Sequence, residues 1–123
     1  MILADTSIWV DHLSRGTRGL AALLDQEQVE MHPYVIGELA CGDIRKRKRK
    51  QILDLLTTLP PAAVVSDGEA LAMIESRKLM GRGLGWVDVH LLASVVLSGS
   101  RIWSRDRQLA AAAEELNVKF NQE

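Results

Sequence analysis

Residues 85–98, Gly-Trp-Val-Asp-Val-His-Leu-Leu-Ala-Ser-Val-Val-Leu-Ser, predict a helix that is apolar on almost every side, with His90, Ser94 and Ser98 as its only polar stripe at i, i+4, i+8. Such a helix is stable only when covered, which places it inside an α/β layer. Ser98-Gly99-Ser100 ends it, Arg101 to Ser104 reads as a short strand, and Asp106 falls just past the strand's carboxyl end, where another helix opens. Asp88 lies off the polar stripe, at helical spacing from Leu91, Leu92 and Val95, and near the positive end of the helix dipole. Two carboxylates therefore bracket one helix–strand unit.

The rest of the chain repeats this alternation. Ile2-Leu3-Ala4, Val29 to His32, Ala63 to Val65 and Val118-Lys119-Phe120 read as further short strands. Between them lie a helix after Asp5-Thr6-Ser7, a second short face on Leu20, Leu23 and Leu24, a helix from Tyr34, an amphipathic stretch from Gln51 to Leu59, a Ser66 capping box and an alanine-rich helix from Gln108 to Asn117. That order implies an α/β fold with a central parallel sheet of about five strands between helical layers. With 123 residues, 47% of them hydrophobic, the chain is expected to form a single domain over residues 1–123.

Charge and cysteine usage narrow the function. A net charge of -1 removes any bulk electrostatic case for nucleic-acid binding, so such binding would need a local patch. The run Arg45-Lys46-Arg47-Lys48-Arg49-Lys50 is the one candidate, equally readable as a solvated helix end. The single cysteine, Cys41, excludes an intramolecular disulfide and a Cys-based zinc site within one chain, and reads as a small buried filler. The chain enters an apolar strand at Ile2 without a basic leader and has no run able to span a bilayer, so a cytoplasmic protein without membrane insertion is expected.

In a parallel α/β sheet the ligand site lies outside the carboxyl ends of the strands. Asp5 and Asp106 fall there, Asp88 can face the same crevice, and Glu38 joins them if its helix crosses the edge. Each also has an ordinary reading: Asp5, Asp88 and Asp106 as helix caps or first-turn acids, Glu38 as a solvated helix residue. Convergence would be costly, since two unit charges about 5 Å apart repel by roughly 3 kcal/mol at an effective dielectric near 20. A cation would relieve it, and all-oxygen ligation suits Mg²⁺ or Mn²⁺ rather than zinc. A metal held this way lowers the pKa of a bound water and orients a phosphate, as phosphodiester hydrolysis requires.

Taken together, Ile2-Leu3-Ala4-Asp5-Thr6-Ser7, the isolated Glu38, Gly85-Trp86-Val87-Asp88-Val89-His90-Leu91-Leu92-Ala93 and Ser104-Arg105-Asp106 resemble the PIN domain, specifically the VapC-type toxins of bacterial toxin–antitoxin pairs. The resemblance covers nearly the whole chain. It implies a PIN-like three-layer α/β/α fold and a metal-dependent endoribonuclease, with Asp5, Glu38, Asp88 and Asp106 around Mg²⁺ or Mn²⁺ and with Ser7 and Ser104 supporting them. It also implies an RNA substrate, a homodimer, and a VapB-type antitoxin whose C-terminal segment enters the acidic crevice. The basic hexamer is no part of the family pattern.

Other residues read as structural. His90 stands on a different side of its helix from Asp88, and His12 and His32 have no stronger claim; Trp103 lies among core residues, whereas Trp86 stands at the mouth of the crevice as a candidate contact for RNA or a partner. Two other functions compete. A phosphoacceptor receiver domain would use Asp67 and Lys119, but Asp5 is followed by Thr6 where a receiver carries a second acid, and Glu38 and Asp88 would be idle. A catalytically silent PIN-like module would bind RNA or antitoxin without cleavage.

Overall fold

The chain starts in the middle of its sheet. In the computed structural model, which describes residues 1–44 and 47–121, β1 (Ile2–Ala4) pairs in parallel with β2 (Val29–Glu30) on one side and β3 (Arg101–Trp103) on the other. Ile2 stands level with Val29 and Arg101, Leu3 with Glu30 and Ile102, and Ala4 with Trp103. Parallel strands need crossovers, and helices supply them. Thr6–Arg15 (α1) and Arg18–Asp25 (α2) carry the chain from β1 to β2; Pro33–Cys41 (α3), Arg49–Leu56 (α4), Asp67–Arg77 (α5) and Trp86–Ser98 (α6) return it to β3; Arg107–Glu115 (α7) follows.

Among the described residues, the expected sheet of about five strands is corrected to three. Its outer two positions survive as single parallel bridges, Met31 to Pro61 and Ile102 to Lys119. The third expected strand, Ala63 to Val65, is absent. Pro60 and Pro61 lack the N–H groups that would extend a ladder, so pairing is limited to Met31 N–H on Pro60 O and Ala62 N–H on Met31 O, and Val64 turns outward.

The core lies where α1, α6 and α7 cover β1 and β3, with Leu3, Ile8, Leu91, Leu92, Ile102 and Leu109 fully buried. The apolar helix is enclosed as its pattern demands: Val89 through Val95 are all buried, His90 and Ser94 among them. Because β1 and β3 run parallel and in register, their carboxyl ends, Asp5 and Ser104, arrive side by side at one edge of the sheet, and the Asp5 N–H donates to Trp103 O at 2.9 Å. No helix among the described residues is long and apolar enough to cross a membrane.

Candidate active site

Asp5 ends β1 and caps α1, accepting the Ile8 N–H at 3.2 Å. It is only 6% exposed, and burial raises its carboxyl above the ordinary range against the opposing pull of its donors. Those donors come from both strand ends: Ser104 Oγ reaches one oxygen and Ser7 Oγ the other, the latter at 2.5 Å. Ser7 Oγ in turn accepts the Arg105 N–H at 3.0 Å, and Ser104 Oγ accepts the Asp106 N–H at 2.9 Å. The two serines therefore stitch the β1 and β3 ends into one rigid corner.

The other three acids surround that corner. Asp106 caps α7 through Oδ1, on the Leu109 N–H at 3.0 Å. Asp88 is the third residue of α6 and reaches back through Oδ2 to the Gly85 N–H at 2.9 Å. Glu38, exposed on α3, accepts from Thr6 Oγ1 at 2.5 Å, which ties α3 to the start of α1. Burial raises the half-buried Asp88 carboxyl above its ordinary range; the Gly85 amide opposes this, and the charges of Asp106, Asp5 and Glu38 raise it further. Asp88 thus feels the charge of three acids that lie far apart in the chain.

Capping and convergence turn out to be compatible. Asp5, Asp88 and Asp106 each hold a helix start, where free N–H groups and the dipole offset part of their mutual repulsion. The described bonds commit Asp88 Oδ2, Asp106 Oδ1 and Glu38 Oε1. The second oxygen of each accepts no hydrogen bond among the described residues.

Among the described residues, no three His, Cys, Asp or Glu side chains form a ready-made cage for an ion. The donor set nevertheless fits a hard cation that keeps several of its own waters and takes only one or two protein carboxylates, as Mg²⁺ does. Such a cation would neutralise the negative charge of Asp5 and Asp88, whose ionised forms burial disfavours, and could take carboxylate oxygens that accept no hydrogen bond among the described residues.

Beside the crevice stands an aromatic ladder. Trp86 meets His90 edge to face at 4.6 Å, His90 meets Tyr34 at 4.8 Å and Tyr34 meets His32 at 5.1 Å. His32 caps α3, its Nδ1 accepting the Tyr34 N–H at 3.0 Å, and burial with the neighbouring His90 pushes its pKa down to about 4. His90 is 1% exposed, with Nε2 3.1 Å from Asp67 Oδ1. Trp103 packs on Phe120 in the core.

Other expectations divide. Cys41 is exposed at the end of α3 rather than buried, because the helix turns that position away from Val35 and Leu39, which enter the core. Within the basic run, Arg45 and Lys46 lie outside the described residues. Arg49 is drawn onto the carbonyls of Ala40 and Gly42, closing the carboxyl end of α3; Lys50 pairs with Asp54 at 2.7 Å, and Arg47 and Lys48 are exposed. The receiver arrangement does not form: Asp67 is engaged with His90, and Lys119 faces Glu114 at 4.0 Å. Thr6 was missed by sequence reasoning, since a bond to a residue 32 positions away leaves no local signature.

Comparison with known proteins agrees with this fold. A family model of the PIN domain matches residues 2–115, and the chain belongs to the PIN-domain family. Over 124 aligned residues it is 45% identical to Ribonuclease VapC32 of Mycobacterium tuberculosis, covering 100% of this chain and 98% of that one. The fold is similar to that in the crystal structure of FitAcB from Neisseria gonorrhoeae, with a TM-score of 0.65 at 19% identity, covering 93% of this chain and 94% of that chain. It is also similar to PAE2754 from Pyrobaculum aerophilum, with a TM-score of 0.63 at 15% identity, covering 92% and 79%.

Proposed function

We propose that the protein is the endoribonuclease toxin of a type II toxin–antitoxin pair and hydrolyses RNA phosphodiester bonds with the help of Mg²⁺ or Mn²⁺. The observation that carries this reading is the gathering of Asp5, Glu38, Asp88 and Asp106 around the paired ends of β1 and β3. Full-length similarity to a VapC ribonuclease supports it.

In this reading Asp5 and Asp106 hold the metal most directly, Asp88 adds a ligand or a water contact, and Glu38 orients a water. When bound, the metal activates a water and screens the charge that develops on the phosphate. Ser7 and Ser104 keep both Asp5 oxygens in place by donating to them, and the same hydroxyls receive the Arg105 and Asp106 amides, so the corner holds its shape when substrate enters. No side-chain nucleophile is needed; the attacking oxygen comes from water and the ribose oxygen leaves.

The exposed Arg47 and Lys48 supply phosphate contacts away from the crevice, while Arg49 serves the fold. A VapB-type antitoxin would seat an apolar segment in the groove of about 390 Å³ between α1, α3 and α4, lined by Val10, Leu13, Leu39 and Ile52 and closing on Glu38. From there its C-terminal segment would place a cation among the acids. The toxin acts as a homodimer in this scheme.

Metal-dependent RNA cleavage, lost in Asp106→Asn, is the expected result, read by sequencing RNA 5′ ends after a short pulse of expression. RNA binding without cleavage in any divalent metal would instead make the chain a silent PIN module. Charge reversal of Arg47 and Lys48 together should lower the salt slope of RNA binding by about 1.4, the share of two single-strand phosphate contacts; an unchanged slope would assign both to solvation.

A further inference from the structure

A second groove, of about 610 Å³, opens beside the acidic crevice between α3 and the start of α6. We infer that this groove is a nucleobase subsite, in which a base of the RNA next to the scissile phosphate stacks on Trp86; this rests on the ribonuclease reading above.

Its lining has the character of a base pocket. Tyr34, Gly37, Glu38, Cys41, Trp86 and Val87 are among its walls, with no lysine or arginine among the described residues. A groove without cations does not hold phosphate. Its one charged side chain, Glu38, accepts from Thr6 and also belongs to the crevice, so the groove is continuous with the place where the phosphodiester would sit. Single-stranded RNA is recognised by splaying bases onto aromatic side chains, and the walls here supply two.

Trp86 is 41% exposed. Its ring is held edge to face against the buried His90, which also holds Tyr34, so both aromatic walls are fixed before any ligand arrives. Little entropy is lost in using them.

Gly37 supplies an independent observation. Glycine inside a helix costs about 1 kcal/mol relative to alanine. Here the backbone does not need it: φ is not positive, and a Cβ built at Gly37 would meet nothing within 4 Å. The fold therefore has no packing reason for glycine in the middle of α3. An open groove does, because any side chain at 37 would occupy it.

The test uses the full chain and two short single-stranded RNA oligonucleotides, alike except that one carries a single abasic site. Binding is read by tryptophan fluorescence in calcium, and cleavage is measured separately in magnesium. Trp9 and Trp103 are buried, so Trp86 dominates any quenching by stacked bases. The expected result is quenching by the intact oligonucleotide and a weaker response to the abasic one. Trp86→Ala should weaken intact-RNA binding by roughly 5- to 150-fold, the range for loss of one base–aromatic stack, with KM rising more than kcat falls, and Trp86→Phe should recover part of it. Since Trp86→Ala also removes support from His90, Gly37→Leu is the second variant: it should melt at or above the wild-type temperature and yet bind RNA more weakly. Wild-type RNA binding and KM in both Trp86→Ala and Gly37→Leu, with cleavage intact, would overturn the subsite and leave the ribonuclease. A change in oligomeric state by light scattering in Gly37→Leu would also overturn it, assigning the groove to a second copy of the chain. Base-dependent quenching without cleavage in any metal would sustain the subsite and overturn the ribonuclease.

Discussion

The acidic crevice and the aromatic ladder lie side by side, share α3 and α6, and respond to protons in opposite directions. In the crevice, burial raises Asp5, and burial with the neighbouring acids raises Asp88, so the folded chain holds protons there that the unfolded chain has already released. In the ladder, burial pushes His32 down to about 4, so the folded chain refuses a proton that the unfolded chain accepts below 6.5. The crevice therefore loses stability as pH rises above the ordinary carboxylate range, and the ladder loses it as pH falls from 6.5 towards 4. One region is held under tension for chemistry; the other is the neutral support that keeps it in place.

The largest expected effect breaks the crevice at its centre. Asp5→Asn should reduce RNA cleavage at least about a hundredfold, the scale for removing one preorganised electrostatic group, while raising the melting temperature at pH 7 by a few degrees. The gain arises because a buried charge disappears, and the Ser7 and Ser104 hydroxyls can turn to suit an amide. Added magnesium should stabilise the wild type and not the variant. If Asp5→Asn melted lower than the wild type at pH 7, the crevice would not be under tension, and the contrast with the ladder would fail.

A smaller effect isolates the ladder. Between pH 6.5 and about 4, His32 should contribute up to roughly 3 kcal/mol of lost stability, from its depressed pKa at about 1.4 kcal/mol per unit. His32→Asn keeps an N-cap acceptor for the Tyr34 amide but cannot titrate, so the acid limb of its denaturation profile should flatten. Urea unfolding at a series of pH values measures this. A limb as steep as the wild type's would move the acid sensitivity elsewhere.

The sequence made the crevice partly readable for a physical reason. Asp5 and Asp106 each follow a short apolar strand and open a helix, a local pattern that sets their position whatever the rest of the chain does. Asp88 was readable from the all-round apolar helix it begins. Glu38 was only conditionally readable: on an exposed helix face it looks solvated, and it joined the other acids only if its helix crossed the edge of the site, a condition that no local pattern sets. The sheet edges were misread because a one-rung bridge leaves no alternation to detect, and Pro60-Pro61 shifted pairing ahead of the apolar Ala63 to Val65. Cys41 was misplaced because a cysteine's composition-based preference for the interior says nothing about which face of α3 it occupies.

The smallest predicted effect lies at the joint between the two regions. Thr6 Oγ1 to Glu38 is the side-chain bond that ties the first turn of α1 to α3, the helix that His32 caps and Tyr34 begins. Thr6→Val keeps the shape and removes the donor, at a stability cost on the order of 1 kcal/mol or less because Glu38 is exposed and water can replace the hydroxyl. Catalysis should suffer more than stability: a carboxylate released from its tether samples other rotamers, and a several-fold fall in kcat with little change in KM is expected. Thr6→Ser restores the hydroxyl without the methyl group and should restore kcat. If Val and Ser behaved alike, the bond would be incidental, and Glu38 would owe its place in the crevice to the packing of α3 alone.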